Sequence, residues 1–115
     1  MRTGNLLADV APPRAGERFE TLLAHRNLVI ERIVSSAATT PRAYVQSQDE
    51  WVVLLAGEAV LEVGEEALAL RAGDHVFLPA GTAHTLRRVS DGALWLAVHL
   101  HPDDGTPVSA EVPSS

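Results

Sequence analysis

Two short spacings hold most of the residues in this chain that could do chemistry. Gly73-Asp74-His75-Val76-Phe77-Leu78-Pro79-Ala80-Gly81-Thr82-Ala83-His84 spells G-x5-P-x-G-x2-H, and Glu50 to Gly57 spells E-x6-G. In the first, Gly73 permits a turn, Pro79 stops one strand and Gly81 permits a sharp reversal, so that His84 opens the next strand with its imidazole on a defined face. An imidazole and a carboxylate in one small fold can serve as acid and base or ligate a metal ion. For His84 the plain alternative is a buried histidine bonded to backbone. For Glu50 it is a carboxylate paired with a neighbouring arginine, weighed against the cost of burying one beside the apolar run Trp51 to Ala56.

The chain has no cysteine, which removes disulfides, thiol nucleophiles and thiolate metal sites. Any metal must therefore be held by His, carboxylate, amide or phenol groups. A serine nucleophile elbow, a P-loop and a dinucleotide fingerprint are all missing. Glu65-Glu66 and Asp103-Asp104 are adjacent pairs whose side chains point apart, as solvated turn and tail residues do.

The elements that must position these residues read as short strands. Runs at Leu28 to Val34, Arg42 to Gln46, Trp51 to Ala56, Ala59 to Val63, Glu66 to Leu70, His75 to Leu78, Ala83 to Val89 and Ala93 to Leu100 are separated by Gly, Pro, Ser and Asp turns. A spacing of roughly 8–12 residues is the pattern of a sandwich or barrel. In the first run Leu28, Ile30 and Ile33 supply the apolar set. In the last, Leu94, Leu96, Val98 and Leu100 share one face, while Trp95, Ala97, His99 and His101 share the other, which puts His99 on the mixed, cavity-facing side. Glu17 to Ala24 places Phe19, Leu22 and Leu23 at helical spacing, predicting one or two turns of helix or else an irregular arm. His25 and His101 read as solvent-exposed, and His75 as a surface residue or a support behind the site. Trp51 and Trp95 read as core or dimer-interface residues.

The two spacings together resemble the paired motifs of the cupin superfamily, over about Leu28 to Pro102. The resemblance implies an all-β fold, a double-stranded β-helix of jelly-roll type, with a short N-terminal arm or helix. With the residue pattern on either side, the chain is expected to divide into 1–26 (arm with a possible short helix), 27–102 (barrel) and 103–115 (flexible tail, rich in Pro, Gly, Ser and acidic residues). In that family the first motif begins H-x-H-x3-4-E, and its two histidines, the Glu and the second motif's His usually bind a divalent metal. Here Tyr44 and Gln46 stand where those histidines would be. The implied metal set is thus Glu50, His84 and Gln46, for Zn, Ni, Mn or Fe, weaker than usual because imidazole outmatches an amide. Tyr44, His99 and Arg88 are expected to line the pocket, with His99 available to complete the ligand set. Arg88 stands where the family has Asn and follows His84 by an even step. Either it points inward and binds a carboxylate or phosphate, or it turns out to meet an acidic neighbour.

Composition narrows the partners. Hydrophobic residues are 46% and charged residues 21% of 115, an ordinary globular balance for one domain. A net charge of −6 argues against nucleic acid and anionic membrane surfaces. No run reaches the roughly 20 apolar residues of a membrane span, and the N-terminus lacks a signal-peptide core, so the expected location is the cytoplasm. The expected partners are a small-molecule ligand and, by analogy, a second copy in a homodimer. Fold alone does not choose between a metal-dependent oxygenase, isomerase or lyase, a metal-free isomerase or lyase, and a non-catalytic sensing or binding protein.

Overall fold

A computed structural model of the chain describes residues 3–102. The tail expected at 103–115 lies outside the described residues. In chain order the strands are β1 (Glu17–His25), β2 (Leu28–Ser35), β3 (Ala43–Tyr44), β4 (Asp49–Ala56), β5 (Glu58–Val63), β6 (Glu66–Arg71), β7 (His75–Leu78), β8 (His84–Val89) and β9 (Ala93–Leu100). They form a five-stranded sheet ordered β1-β2-β9-β4-β7 and a four-stranded sheet ordered β3-β8-β5-β6. Every pairing is antiparallel, and the two sheets face one another as a jelly-roll barrel. No helix of the described residues is long and apolar enough to cross a membrane.

Side chains alternate between barrel interior and outer surface along each strand. The inward set at one end is apolar: Ile33, Val52, Leu54, Leu61, Leu86 and Trp95 are each at most 5% exposed. Burial of this kind drives the two sheets together. Gly57, the glycine of E-x6-G, sits at φ 92°, a backbone region closed to most side chains. A Cβ there would also come within 2.6 Å of the Ser90 hydroxyl.

Two readings of the sequence change. Glu17–His25 is a strand, not a helix, and pairs along β2 from Glu17↔Ser35 to His25↔Leu28. It is an edge strand, mostly exposed on both faces, so it has no clean two-residue alternation. A register shift between Thr21 and Leu23 breaks the phase further and leaves Phe19, Leu22 and Leu23 looking helical. The sheet therefore begins within the segment expected to be an arm. On β2, it is Val29, Glu31, Ile33 and Ser35 that are buried in the interior phase, not Leu28 and Ile30. The outer phase is partly covered as well. Arg32 is 6% exposed and binds the Glu20 carboxylate and the Leu6 and Ala8 carbonyls of the N-terminal arm. A strand covered on both faces loses its polar–apolar signature.

Candidate functional site

At the other end of the barrel the inward positions become polar. Two positions beyond Val52, β4 presents Glu50, 1% exposed, and two positions beyond Ala97, β9 presents His99, fully buried. These two are directly opposed in the β4–β9 ladder. From the facing sheet β8 contributes His84, 2% exposed, opposite Tyr44 of β3. The loop before β4 adds Gln46 and the buried Gln48.

The turn that delivers His84 is fastened to the segment carrying Gln46 and Glu50. Gly81, at φ 82°, donates its N–H to the Gln46 carbonyl at 2.8 Å, and the Ala80 N–H donates to Asp49 Oδ1 at 2.8 Å. This is the physical content of P-x-G-x2-H: a reversal that only a permissive residue can make, pinned at both ends to the neighbouring loop. The His84 ring stacks on Tyr44 with centroids 6.1 Å apart.

Hydrogen bonding divides the site in two. His99 Nδ1 lies 3.3 Å from the Gln48 amide nitrogen. That nitrogen can only donate, so Nδ1 accepts and Nε2–H donates to Glu31 Oε1 at 2.9 Å. Both ring nitrogens of His99 are therefore occupied by protein, and Glu50 Oε1 stands off at 3.9 Å. Neither His99 nitrogen, expected as a further metal ligand, is open toward Glu50 and His84 in this arrangement, and the ring is buried in the interior.

The second half of the site is unsatisfied. Gln46 Nε2 donates to Glu50 Oε1 at 2.8 Å, which leaves Gln46 Oε1 and Glu50 Oε2 buried without partners among the described residues. His84 Nδ1 donates to the Thr82 carbonyl at 3.2 Å, so its buried Nε2 is an unpartnered lone pair. Buried polar atoms are nearly always satisfied, and an unsatisfied one calls for an explanation. Burial pushes the Glu50 carboxyl above the usual carboxylate range and Glu31 adds to the rise, while His99, the Gln46 hydrogen bond and His84 pull the other way.

These three atoms belong to Gln46, Glu50 and His84, and all three are lone-pair donors. They fit a divalent cation in kind, with two oxygens and one imidazole nitrogen. They fit it incompletely in number, since no group of three or more His, Asp or Glu side chains able to hold a metal occurs among the described residues. Such an ion would need water or substrate to fill its remaining positions.

Arg88 is not in the pocket. The register shifts between Val60↔Arg88 and Leu61↔Leu86, so Arg87 is an extra residue that flips the parity of β8. Arg88 is consequently exposed, and Val89 turns in against the core. His101 also differs from its sequence reading: it is half-buried, its ring 6.3 Å from that of His99, and burial together with His99 lowers its pKa. His75 packs on Trp51 on the outer face.

Sequence reasoning missed Glu31, Gln48 and Glu17. Glu31 was legible only with the correct phase of β2. Glu17 needed β1 to be a strand: its carboxylate accepts from the Ser35 hydroxyl at 2.9 Å, and Ser35 in turn accepts from Trp95 Nε1–H at 3.0 Å. Burial and the charges of Glu50 and Glu31, outweighing that hydrogen bond, raise the Glu17 pKa to about 7.

A jelly-roll barrel with a polar interior closed by the P-x-G-x2-H turn defines a cupin, and the cupin domain family matches residues 30–100. The chain belongs to that family. An uncharacterized protein of Streptomyces coelicolor is 31% identical over 81 residues, covering 70% of this chain and 77% of that protein. A crystal structure of a candidate mannose-6-phosphate isomerase from Ralstonia eutropha superposes with a TM-score of 0.75 at 34% identity, over 89% of this chain and 100% of that one. An RmlC-like cupin from Desulfovibrio desulfuricans superposes with a TM-score of 0.74 at 21% identity, over 87% and 96% of the two chains. This last likeness is one of fold alone.

Proposed function

We propose that the polar end of the barrel binds a small metabolite together with a weakly held divalent ion, on Glu50 Oε2, His84 Nε2 and Gln46 Oε1. The observation that carries this reading is that these three buried atoms lack partners among the described residues while both ring nitrogens of His99 are satisfied. A bound ion would supply Lewis acidity toward a ligand oxygen. The residues themselves would orient the ligand and exclude water. Tyr44, stacked on His84, closes one wall.

The ligand set is one carboxylate, one imidazole and one amide, so binding of Zn, Ni or Mn is expected to be weak. Elemental analysis of untagged protein, followed by calorimetric titration with Zn, Ni and Mn, tests this. Saturable binding that disappears in His84→Ala and Glu50→Gln supports the assignment. No metal found and none taken up removes it.

A metal-free binding or sensing cupin is the second reading. It is favoured by Gln46, whose amide N–H already engages Glu50 as a structural hydrogen bond would. The Ralstonia relative suggests a phosphosugar. Against this, Arg32 is the only buried arginine among the described residues, it lies on the outer face, and the chain contains no lysine. Trp51, Phe77 and Leu100 on the outer face of β4, β7 and β9 are 37%, 57% and 49% exposed. We place a homodimer contact there, to be checked by sedimentation equilibrium of wild type and Phe77→Glu.

A further inference from the structure

The start of β1 and the loop between β2 and β3 enclose a cleft of about 390 Å³, whose lining includes Glu17, Phe19, Pro41, Arg42 and Tyr44. That volume falls within the ~300–1,000 Å³ of small-molecule sites. Tyr44 belongs to both spaces, since it lines the cleft and its ring stacks on His84. The cleft therefore abuts the polar end of the barrel.

Its charge is one-sided on the barrel side. Glu17 is held in place by Ser35, itself held by the Trp95 N–H. The charges of Glu50 and Glu31 reach Glu17 and help raise its pKa to about 7. No arginine is buried behind it among the described residues: Arg32 is on the outer face with Glu20, and Arg42 stands exposed at the rim. The two aromatic residues of the lining are Phe19 and Tyr44. Aromatic faces beside a carboxylate, in a field set by further carboxylates, are the chemistry that recognises an organic cation.

We propose that this cleft is the recognition subsite for an organic ammonium group, with Glu17 as its counter-charge and Phe19 and Tyr44 as its aromatic walls. The inference rests on reading the barrel interior as a ligand site and names the class of ligand. Arg42 is exposed on the solvent side of the cleft, whereas Glu17 is tied to the barrel through Ser35, so an anion would be held at the rim and a cation drawn to the inner side. Burial is the main reason the Glu17 carboxyl holds its proton, with the charges of Glu50 and Glu31 adding to it, and a cation seated against Glu17 would take that proton's place. Below the Glu17 pKa it must displace that proton, so its binding strengthens as pH rises through about 7.

Calorimetric titration of the full chain with choline and with its uncharged tert-butyl isostere, at about pH 8.5 where Glu17 is ionised, tests the subsite. Choline is expected to bind about tenfold more tightly than the isostere. That preference should vanish in Glu17→Gln, fall in Tyr44→Leu, and rise in Arg42→Gln as the rim charge is removed. Equal affinity for the two probes, no choline binding, or a preference that survives both Glu17→Gln and Tyr44→Leu overturns the proposal. Titration of the same Glu17→Gln protein with Ni separates this from the metal reading. Loss of choline preference with Ni binding intact is the expected pair, whereas loss of Ni binding in His84→Ala alone leaves the ammonium subsite untouched.

Discussion

Along the same four strands the barrel interior changes character within a single two-residue step. β2 carries Ile33 and then Glu31, β4 carries Val52 and then Glu50, β8 carries Leu86 and then His84, and β9 carries Ala97 and then His99. All eight are buried, so depth does not distinguish the two ends. Partnering does. The apolar end is one contiguous cluster held by dispersion and water exclusion. The polar end is a set of hydrogen bonds that closes around His99 and stays open around Glu50 and His84. Stability resides in the closed parts, and binding capacity in the open one.

The sharpest break in this contrast is His99→Ala. It leaves Glu31 buried without its partner, and about 3–5 kcal/mol of stability should be lost in urea unfolding; a loss under about 1 kcal/mol would mean the Glu31–His99 pair is not closed. Leu54→Ala, in the apolar end, should cost about 2–5 kcal/mol through the cavity it leaves, with metal and ligand titrations unchanged. If it also abolished binding, the two ends could not be treated separately.

Glu17 gives a pH signature. Its folded pKa of about 7 exceeds the unfolded value of 4.5, so the native state holds more protons between these values. Its contribution is fully present below about pH 4.5 and is lost as pH rises through 7. Glu17→Gln should flatten that decline by no more than about 3 kcal/mol; an unchanged slope would place Glu17 in solvent. Glu50, also raised, acts in the same direction and leaves part of the slope.

His84→Ala should cost about 1–2 kcal/mol without ligand, less than His99→Ala, because it loses the Thr82 hydrogen bond and the Tyr44 contact but leaves no buried carboxylate unpaired. A loss as large as that for His99 would show a hidden partner. The smallest effect belongs to Arg88→Ala. Exposed beyond the β8 bulge, it should leave the melting temperature, metal binding and choline binding all unmoved, and strengthened choline binding would return Arg88 to the pocket.

Strand β9, which alternates cleanly, was legible in full, β4 was legible as the apolar run Trp51 to Ala56, and the turns at Gly57, Gly73 and Gly81 were legible too. Turn chemistry and two-residue periodicity are local, and the cupin motifs are local patterns of that kind. They located Glu50 and His84 and named Gln46 and Tyr44 as replacements for the usual histidines. Three things were not legible. The strand identity of Glu17–His25 depends on pairing with β2, because an edge strand has no buried face to advertise itself. The inward phase of β2, and with it Glu31, depends on the arm that covers the opposite face. Arg88 follows His84 by an even number of residues, yet it faces out because one extra residue in β8 cannot be seen without the partner strand β5. Each miss is a matter of what lies across the sheet, and a chain's own order of residues does not record its cross-strand neighbours. Which lone pairs are left open was decided in the same way: Gln48 and Glu31 reach His99 from other segments, and none of the described residues reaches His84 Nε2.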